Sequence, residues 1–182
     1  MHNLVALKTI SPTIVLDIVY ATPHNFARQV VYSKPSCFLQ RSVAMRLHRV
    51  QLTFEKRGLG LKVFDGYRPL SVQKKFWEIC PDPRYVADPA IGSKHNRGAA
   101  VDLTLIDSKG KELLMPTILD DFTEKAHRAY QGGSKETLRN RDLLEKAMVK
   151  EGFIPYPTEW WHFDDPEWET YSILDVSFEE LE

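Results

Sequence analysis

Apolar and polar residues alternate along the chain with the spacings of short strands and amphipathic helices. Residues 13–20 are rich in β-branched and apolar types, which predicts a strand near the N-terminus. From Leu39, apolar residues at positions 39, 43, 47, 50 and 54 form one stripe, which predicts a long helix. Ser36 is a candidate N-cap for this helix, and Gly58 follows its end. Residues 61–65 then predict a second strand.

The second half of the chain continues this alternation of strands and helices. A helix is predicted after Pro69, and three apolar residues form its buried face: Val72, Phe76 and Ile79. Another helix is predicted from Ser134 to Gly152, with four apolar residues turned inward: Leu138, Leu144, Ala147 and Met148. Residues 159–164 are dense in aromatic types and lie between two prolines, which predicts a buried strand. Together these elements predict an α+β fold.

Residues 93–105 contain the most informative departure from a simple strand pattern. Their second half alternates small or apolar residues with polar ones, which predicts a strand entering the core. His95 and Asp102 are seven positions apart, so on one uninterrupted strand their side chains would lie on opposite faces. They converge only if the chain turns at residues 96–98, where Asn and Gly tolerate positive φ. An imidazole and a carboxylate brought together suit a divalent ion such as zinc.

Composition fits one domain over residues 1–182 and excludes several classes of protein. The chain is 43% hydrophobic and 27% charged, with a net charge of −1 and no basic stripe, so a nucleic-acid partner is not expected. No apolar run approaches the roughly 20 residues that span a bilayer, and no signal-peptide pattern opens the chain. The two cysteines, Cys37 and Cys80, form no C-x-x-C motif, which favours the cytoplasm over the periplasm.

His162 is the natural candidate for a third metal ligand, because zinc sites commonly pair two close ligands with a distant one. Three protein ligands leave a fourth position for water, which is typical of catalytic zinc sites. Glu159, three residues before His162, is the candidate general base, provided that the chain bends between them. Arg68 is a candidate for holding a substrate carbonyl or an oxyanion.

Simpler interpretations of the same residues remain open at this point. His95 and His162 could be ordinary hydrogen-bonded histidines, and Arg68 could make only a turn-stabilising ion pair with Asp65. The tryptophans at positions 160 and 161 more often belong to a core than to a binding surface. From composition and spacing alone, a metal-dependent hydrolase is the leading interpretation.

Several motifs together resemble those of the zinc D-Ala-D-Ala peptidases, a superfamily that includes D,D- and L,D-carboxypeptidases and proteins of hedgehog-like fold. They are Ser93-x-His95-x-x-Gly98-x-Ala100-x-Asp102, Asp65-Gly66-Tyr67-Arg68-Pro69 and Glu159-Trp160-Trp161-His162. Residues 17–22, followed by Asn25-Phe26, make the chain most similar to the D-alanyl-D-alanine dipeptidase branch, which includes the vancomycin-resistance dipeptidase. The resemblance runs from about residue 17 to residue 164. It implies a hedgehog-like fold with a central antiparallel sheet and flanking helices.

The resemblance also implies a metal and the residues that carry the chemistry. It implies one zinc ion per chain, bound by three ligands: His95, Asp102 and His162. Glu159 would act as catalytic base and acid, and Arg68 would act on the scissile carbonyl and the tetrahedral intermediate.

Substrate-binding residues follow from the same resemblance. Asp120 would bind the free amino terminus of a dipeptide, with the adjacent Asp121 as the alternative, while Ser93 would contact the substrate and Tyr20 would line the cavity. The expected reaction is hydrolysis of D-alanyl-D-alanine to two D-alanines. The alternatives are a D,D-carboxypeptidase that trims peptidoglycan peptides and a non-catalytic module that binds cell-wall peptides.

Overall fold

A mixed sheet lies at the centre of the computed structural model, which describes residues 3–181. The strands, in chain order, are β1 (Leu4–Ala6), β2 (Val15–Leu16), β3 (Phe38–Gln40), β4 (Leu59–Asp65), β5 (Ala100–Asp107), β6 (Ile154–Pro155) and β7 (His162–Asp164). Five of them form one sheet in the order β2-β4-β5-β7-β6, while β1 pairs with β3. Within the larger sheet β2 and β4 are parallel and the other pairs are antiparallel. The predicted α+β fold with a central, largely antiparallel sheet is thereby confirmed.

Helices pack around this sheet and close the core. Their bounds are α1 (Leu7–Ile10), α2 (Arg41–Glu55), α3 (Leu70–Ile79), α4 (Lys135–Lys150) and α5 (Phe178–Leu181). The predicted apolar stripe of α2 is fully buried from Val43 to Phe54, and Gly58 follows that helix with φ +68°. The helix predicted from Ser134 is α4, and Ser134 is its N-cap, because its hydroxyl accepts a hydrogen bond from the Thr137 N–H at 3.1 Å. Within the described part of the chain, no helix is both long and apolar enough to cross a membrane.

The predicted start of α2 at Leu39, with Ser36 as its cap, is wrong. Leu39 belongs to β3, where it pairs with Val5, and the helix begins at Arg41. The reason is tertiary pairing, since the backbone N–H of Gln40 donates to the carbonyl of Gly98 at 2.9 Å. This bond ties the entrance of α2 to the turn that carries the site.

Two other local predictions also differ from the structure, because the outcome depends on contacts with the rest of the fold. The strand predicted over residues 13–20 is only β2, after which residues 19–21 form a 3₁₀ turn. The N–H groups of Val31 and Tyr32 both donate to the carbonyl of Tyr20, so the chain folds back onto this turn. Ile79 ends α3 and is 42% exposed, so it is not on the buried face with Phe76.

Candidate active site

The predicted turn between His95 and Asp102 is present. Residues 95–97 form one 3₁₀ turn, and Gly98 follows with φ +65°. A Cβ at Gly98 would collide with the side chain of Leu4 and crowd the backbone nitrogen of Gln40, so both conformation and space require glycine there. The turn reverses the chain before β5 begins, which brings His95 back to Asp102.

Pairing of β5 with β7 adds the third member of the cluster. Asp102 and His162 are register partners in this antiparallel pair, and their side chains lie on the same face. His162 Nδ1 lies 2.9 Å from Asp102 Oδ1, and His95 Nε2 lies 3.4 Å from Asp102 Oδ2. The two imidazole nitrogens are 3.2 Å apart. These three residues form a group whose donor atoms are placed to hold one metal ion.

In each imidazole the outer nitrogen, the one that points away from Asp102, makes a hydrogen bond. This bond indicates that the other nitrogen is free to bind a cation. His95 Nδ1 donates to the carbonyl of Gly66 at 2.7 Å, and His162 Nε2 donates to Asp164 Oδ1 at 2.8 Å. In the neutral rings the inner nitrogens therefore carry lone pairs, and they face each other and the Asp102 carboxylate. Three converging electron-pair donors favour positive charge between them, either a proton or a metal ion. Two imidazoles and one carboxylate suit zinc.

The electrostatics of the cluster also favour bound positive charge. Burial opposes ionisation of Asp102, yet His95 and His162 hold the pKa of its carboxyl well below the usual range. Burial likewise opposes charge on His162, but hydrogen bonds to Asp102 and Asp164 raise the pKa of its imidazole well above normal. The two carboxylates therefore attract positive charge to this point, either a proton on His162 or a metal ion in its place.

Glu159 lies beside the cluster but outside it. Residues 157–161 form a turn instead of the predicted strand, which begins only at His162. The turn supplies the bend that a base at position 159 requires, and Glu159 Oε2 lies 3.7 Å from His162 Nδ1. Burial raises the pKa of the Glu159 carboxyl, although His162 opposes that shift. A carboxyl whose pKa is raised suits proton transfer near neutral pH.

Arg68 makes the ion pair with Asp65, and it also faces the cavity. Its Nη2 donates to Asp65 Oδ2 at 2.7 Å and its Nη1 donates to Gln73 Oε1 at 2.9 Å. Asp65 is in turn fixed by the Tyr32 hydroxyl at 2.6 Å. Three of the five guanidinium N–H groups, counting Nε, are used in this way, which leaves two for a ligand.

Asp120 occupies a different part of the same cavity, in an irregular segment before Phe122. Its φ of +56° is uncommon for a residue other than glycine. The Tyr20 hydroxyl donates to Asp120 Oδ2 at 3.1 Å. Burial, followed by the charge of Asp102, raises the pKa of the Asp120 carboxyl to about 7.

One cavity of about 450 Å³ collects every residue that the sequence singled out for the site except Asp121, the alternative to Asp120. Its lining includes the cluster together with Tyr20, Arg68, Ser93, Asp120 and Glu159. The Ser93 hydroxyl accepts a hydrogen bond from the backbone N–H of His95 at 3.2 Å and keeps its own proton for another partner. Trp160 and Trp161 are both 2% exposed and belong to the core, although Trp161 also reaches the cavity wall.

Two residues that support this site were not predicted from the sequence. Asp164 accepts a hydrogen bond from the outer nitrogen of His162, and Gln73 accepts one from Nη1 of Arg68. Asp164 was detectable in principle, because residues two apart on a strand share a face and it follows His162 by two. Gln73 lies on α3 and gave no such signal.

Comparison with known proteins reveals relatives along nearly the whole chain. The profile of peptidase family M15, described as D-ala-D-ala dipeptidase, matches residues 1–179. A D-alanyl-D-alanine dipeptidase of Escherichia coli is 35% identical over 176 residues, which cover 97% of this chain and 91% of the relative. A D-alanyl-D-alanine dipeptidase of Enterococcus faecalis is 31% identical over 185 residues, covering 88% and 92% respectively.

A solved structure of the LD-carboxypeptidase LdcB shares the architecture. The match has a TM-score of 0.53 and 18% identity, and it covers 99% of this chain and 78% of the other. At that identity the likeness concerns the fold alone.

Proposed function

The chain belongs to the D-ala-D-ala dipeptidase family of peptidases, and on that premise we propose that it hydrolyses free D-alanyl-D-alanine to two D-alanines. The supporting observation is the joint presence, in one cavity, of a metal-binding cluster, a carboxylate outside it and a second carboxylate farther along the wall. The first carboxylate is Glu159 and the second is Asp120. This combination suits a metallopeptidase with a subsite for a cationic group.

The ion that suits the cluster is zinc, on which peptidases of this family depend. His95 would bind it through Nε2 and His162 through Nδ1, with Asp102 supplying a carboxylate oxygen. When bound, the metal supplies Lewis acidity, which makes water a stronger acid and polarises a carbonyl. The protein's own side chains carry the proton and hold the substrate.

Glu159 is assigned the proton transfers. Its carboxylate would accept a proton from the attacking water and deliver it to the nitrogen of the leaving D-alanine. Arg68 would direct its two remaining N–H groups at the carbonyl oxygen, which gains negative charge in the tetrahedral intermediate. Its ion pair with Asp65 and its bond to Gln73 hold the guanidinium still, so no reorganisation is needed during the reaction.

Asp120 is assigned the substrate's ammonium group. The Tyr20 hydroxyl donates one hydrogen bond to this buried carboxylate. A charged amine would supply a second partner, in place of the water that burial has removed. The Ser93 hydroxyl is assigned a hydrogen bond to the substrate. A longer peptide has an amide in place of this ammonium, and losing the pairing would cost about 1–3 kcal/mol. This difference favours free dipeptides.

The proposal is tested with purified protein loaded with Zn²⁺ and three substrates separated by HPLC. D-Ala-D-Ala should be cleaved, while L-Ala-L-Ala and a muramyl pentapeptide ending in D-Ala-D-Ala should be cleaved far more slowly. Preference for the pentapeptide would instead favour a D,D-carboxypeptidase acting on peptidoglycan. Binding of D-Ala-D-Ala without any cleavage would favour a non-catalytic module.

A further inference from the structure

Asp164 connects the metal cluster to a charged side chain on another part of the cavity wall. Its Oδ1 accepts the Nε2–H of His162 at 2.8 Å, and its Oδ2 accepts the ammonium of Lys94 at 2.7 Å. Asp164 is 3% exposed, and both of its oxygens accept charge-assisted hydrogen bonds, one of them from a Lys94 side chain that is 29% exposed. Such bonds are strongly directional and fix the plane of the carboxylate.

Lys94 is itself held firmly at both ends of its side chain. Its backbone carbonyl accepts the N–H groups of Arg97 and Ala99, which places it at the entrance of the turn that carries His95. Its ammonium lies 5.2 Å from the ring centroid of Trp168 and 5.7 Å from that of Tyr156. Aromatic faces at these distances attract a cation and limit its freedom to move.

Lys94 therefore links two metal ligands that come from different parts of the fold. It precedes His95 in the chain, and through Asp164 it reaches His162 on β7. We propose that Lys94 is a positioning residue for metal binding: it fixes Asp164, which in turn keeps the Nδ1 lone pair of His162 directed at the ion. This inference rests on the proposed function, because it concerns the same metal.

Removal of the Lys94 charge would release one oxygen of Asp164 from its partner. The carboxylate could then rotate about its side-chain bonds, and the imidazole bonded to it would rotate as well. Partners of this kind commonly change metal affinity by about 10–100-fold when they are lost. Lys94 is one hydrogen bond farther from the metal than Asp164, so its loss should also weaken metal binding, but by less.

The test measures the affinity of the apo-protein for Zn²⁺ by competition with a chromogenic chelator. Asp164→Asn should weaken zinc binding by about 10–100-fold, and Lys94→Met should weaken it by roughly 3–10-fold, a smaller share of the same effect. Lys94→Arg keeps the charge and should recover most of the wild-type affinity. The double variant should bind zinc no more weakly than Asp164→Asn alone, because both changes act through one path.

Lys62→Met is the matched control. Lys62 is also a partly buried lysine paired with carboxylates, at 3.0 Å from Glu112 and 3.5 Å from Asp17, but it does not line the cavity that contains the cluster. Its loss should leave zinc affinity unchanged. Melting temperatures report whether each variant folds, and Lys94→Gln carries the same test if Lys94→Met does not fold.

Unchanged zinc affinity in folded Lys94→Met or Lys94→Gln would overturn the inference. If KM for D-Ala-D-Ala rises in that case, Lys94 contacts the substrate and does not position the ligand. Failure of the wild-type protein to bind zinc at all would count against the proposed function and remove this inference with it. The two failures are therefore distinguishable.

Discussion

The two halves of the cavity differ in how completely the protein satisfies their polar groups. In the metal half, His95 and His162 each have an outer nitrogen bonded to a fixed acceptor, and Asp102 lies on a central strand. In the substrate half, Asp120 lies in an irregular segment with φ +56°. Among the described residues it accepts a side-chain hydrogen bond only from the Tyr20 hydroxyl.

This difference indicates that the two halves have different roles, one in holding the metal and the other in binding the substrate. A half whose ligands are held by strand pairing and by hydrogen bonds to their outer nitrogens keeps its geometry before any substrate arrives, as a metal centre requires. A half with a strained and incompletely paired carboxylate retains capacity for a ligand. The raised pKa of Asp120, to about 7, has the same origin, because burial penalises a charge that no protein cation offsets fully.

Glu159 stands between the halves, and its replacement should have the largest effect. Glu159→Gln keeps the size of the side chain but removes its basicity, so kcat for D-Ala-D-Ala should fall by about 10²–10⁴-fold. Zinc content should stay at one per chain, because Glu159 is not part of the cluster. Steady-state kinetics and elemental analysis check the two outcomes.

The matched control is Glu136→Gln, a change in the first turn of α4. It should leave both kcat and zinc content unchanged. Retention of activity in Glu159→Gln would contradict the assigned base, whereas loss of zinc in that variant would place Glu159 in the metal half.

The next largest effect should come from the substrate half. Asp120→Asn removes the charge that pairs with the substrate ammonium, and charge-assisted hydrogen bonds contribute about 1.5–3 kcal/mol. KM should therefore rise by roughly 10–100-fold while zinc affinity stays at the wild-type value. Substrate-saturation curves and chelator competition measure these quantities.

Asp121→Asn is the control for that variant, since the neighbouring residue carries the same group. Asp121 Oδ1 accepts the Thr123 N–H at 2.8 Å, and an asparagine oxygen can accept the same bond. KM should not change. A larger rise in KM for Asp121→Asn than for Asp120→Asn would reassign the ammonium subsite to the neighbour.

Acid should weaken substrate binding through protonation of Asp120. Below about pH 7 the Asp120 carboxyl takes up a proton and loses its attraction for the ammonium, so kcat/KM should fall roughly tenfold per pH unit. Three groups face it besides Tyr20: Asp102, Glu159 and Arg68. A pH profile of kcat/KM measures the fall. If the same acid limb persists in Asp120→Asn, the titrating group is another one, and Glu159 is the first candidate.

The contrast between the halves also explains what could be predicted from sequence. His95, Gly98 and Asp102 were predictable as a unit, because a strand with two polar interruptions and a glycine between them has few possible geometries. His162 could be proposed as the third ligand from the usual spacing of zinc ligands. Its register with Asp102 could not be predicted, since pairing across sixty residues leaves no local pattern.

Long-range contacts account for most of what was missed. The boundary of α2 depends on a bond from Gln40 to Gly98, and the position of Lys94 depends on Asp164. The conformation of Asp120 is likewise set by the fold around it, because residues 116–131 carry no clear periodicity. Sequence patterns specify faces of strands and helices, whereas such contacts are specified by the packed chain.

The smallest expected effect is that of Asp120→Asn on the stability of the fold. This variant should bind the substrate more weakly than the wild type but should be more stable. Folding raises the pKa of Asp120 from about 3.9 in an unfolded chain to about 7, so the wild type loses stability as pH rises between these values. Asp120→Asn has no such charge and should be more stable at pH 8. A gain of roughly 1 kcal/mol is expected, equivalent to about 2–4 °C in melting temperature.

The pH dependence of this gain separates the charge from the backbone strain at position 120. If burial of the charge is the cause, the gain should shrink as pH falls from 8 and vanish below about 4, where both states are protonated. If strain at φ +56° dominates, asparagine, which tolerates that region slightly better, should give a gain independent of pH. Thermal melts of Asp120→Asn and Asp121→Asn across this range decide between them. A variant less stable than wild type at pH 8 would mean that the Tyr20 hydrogen bond to the Asp120 carboxylate stabilises the fold more than burial of the charge destabilises it.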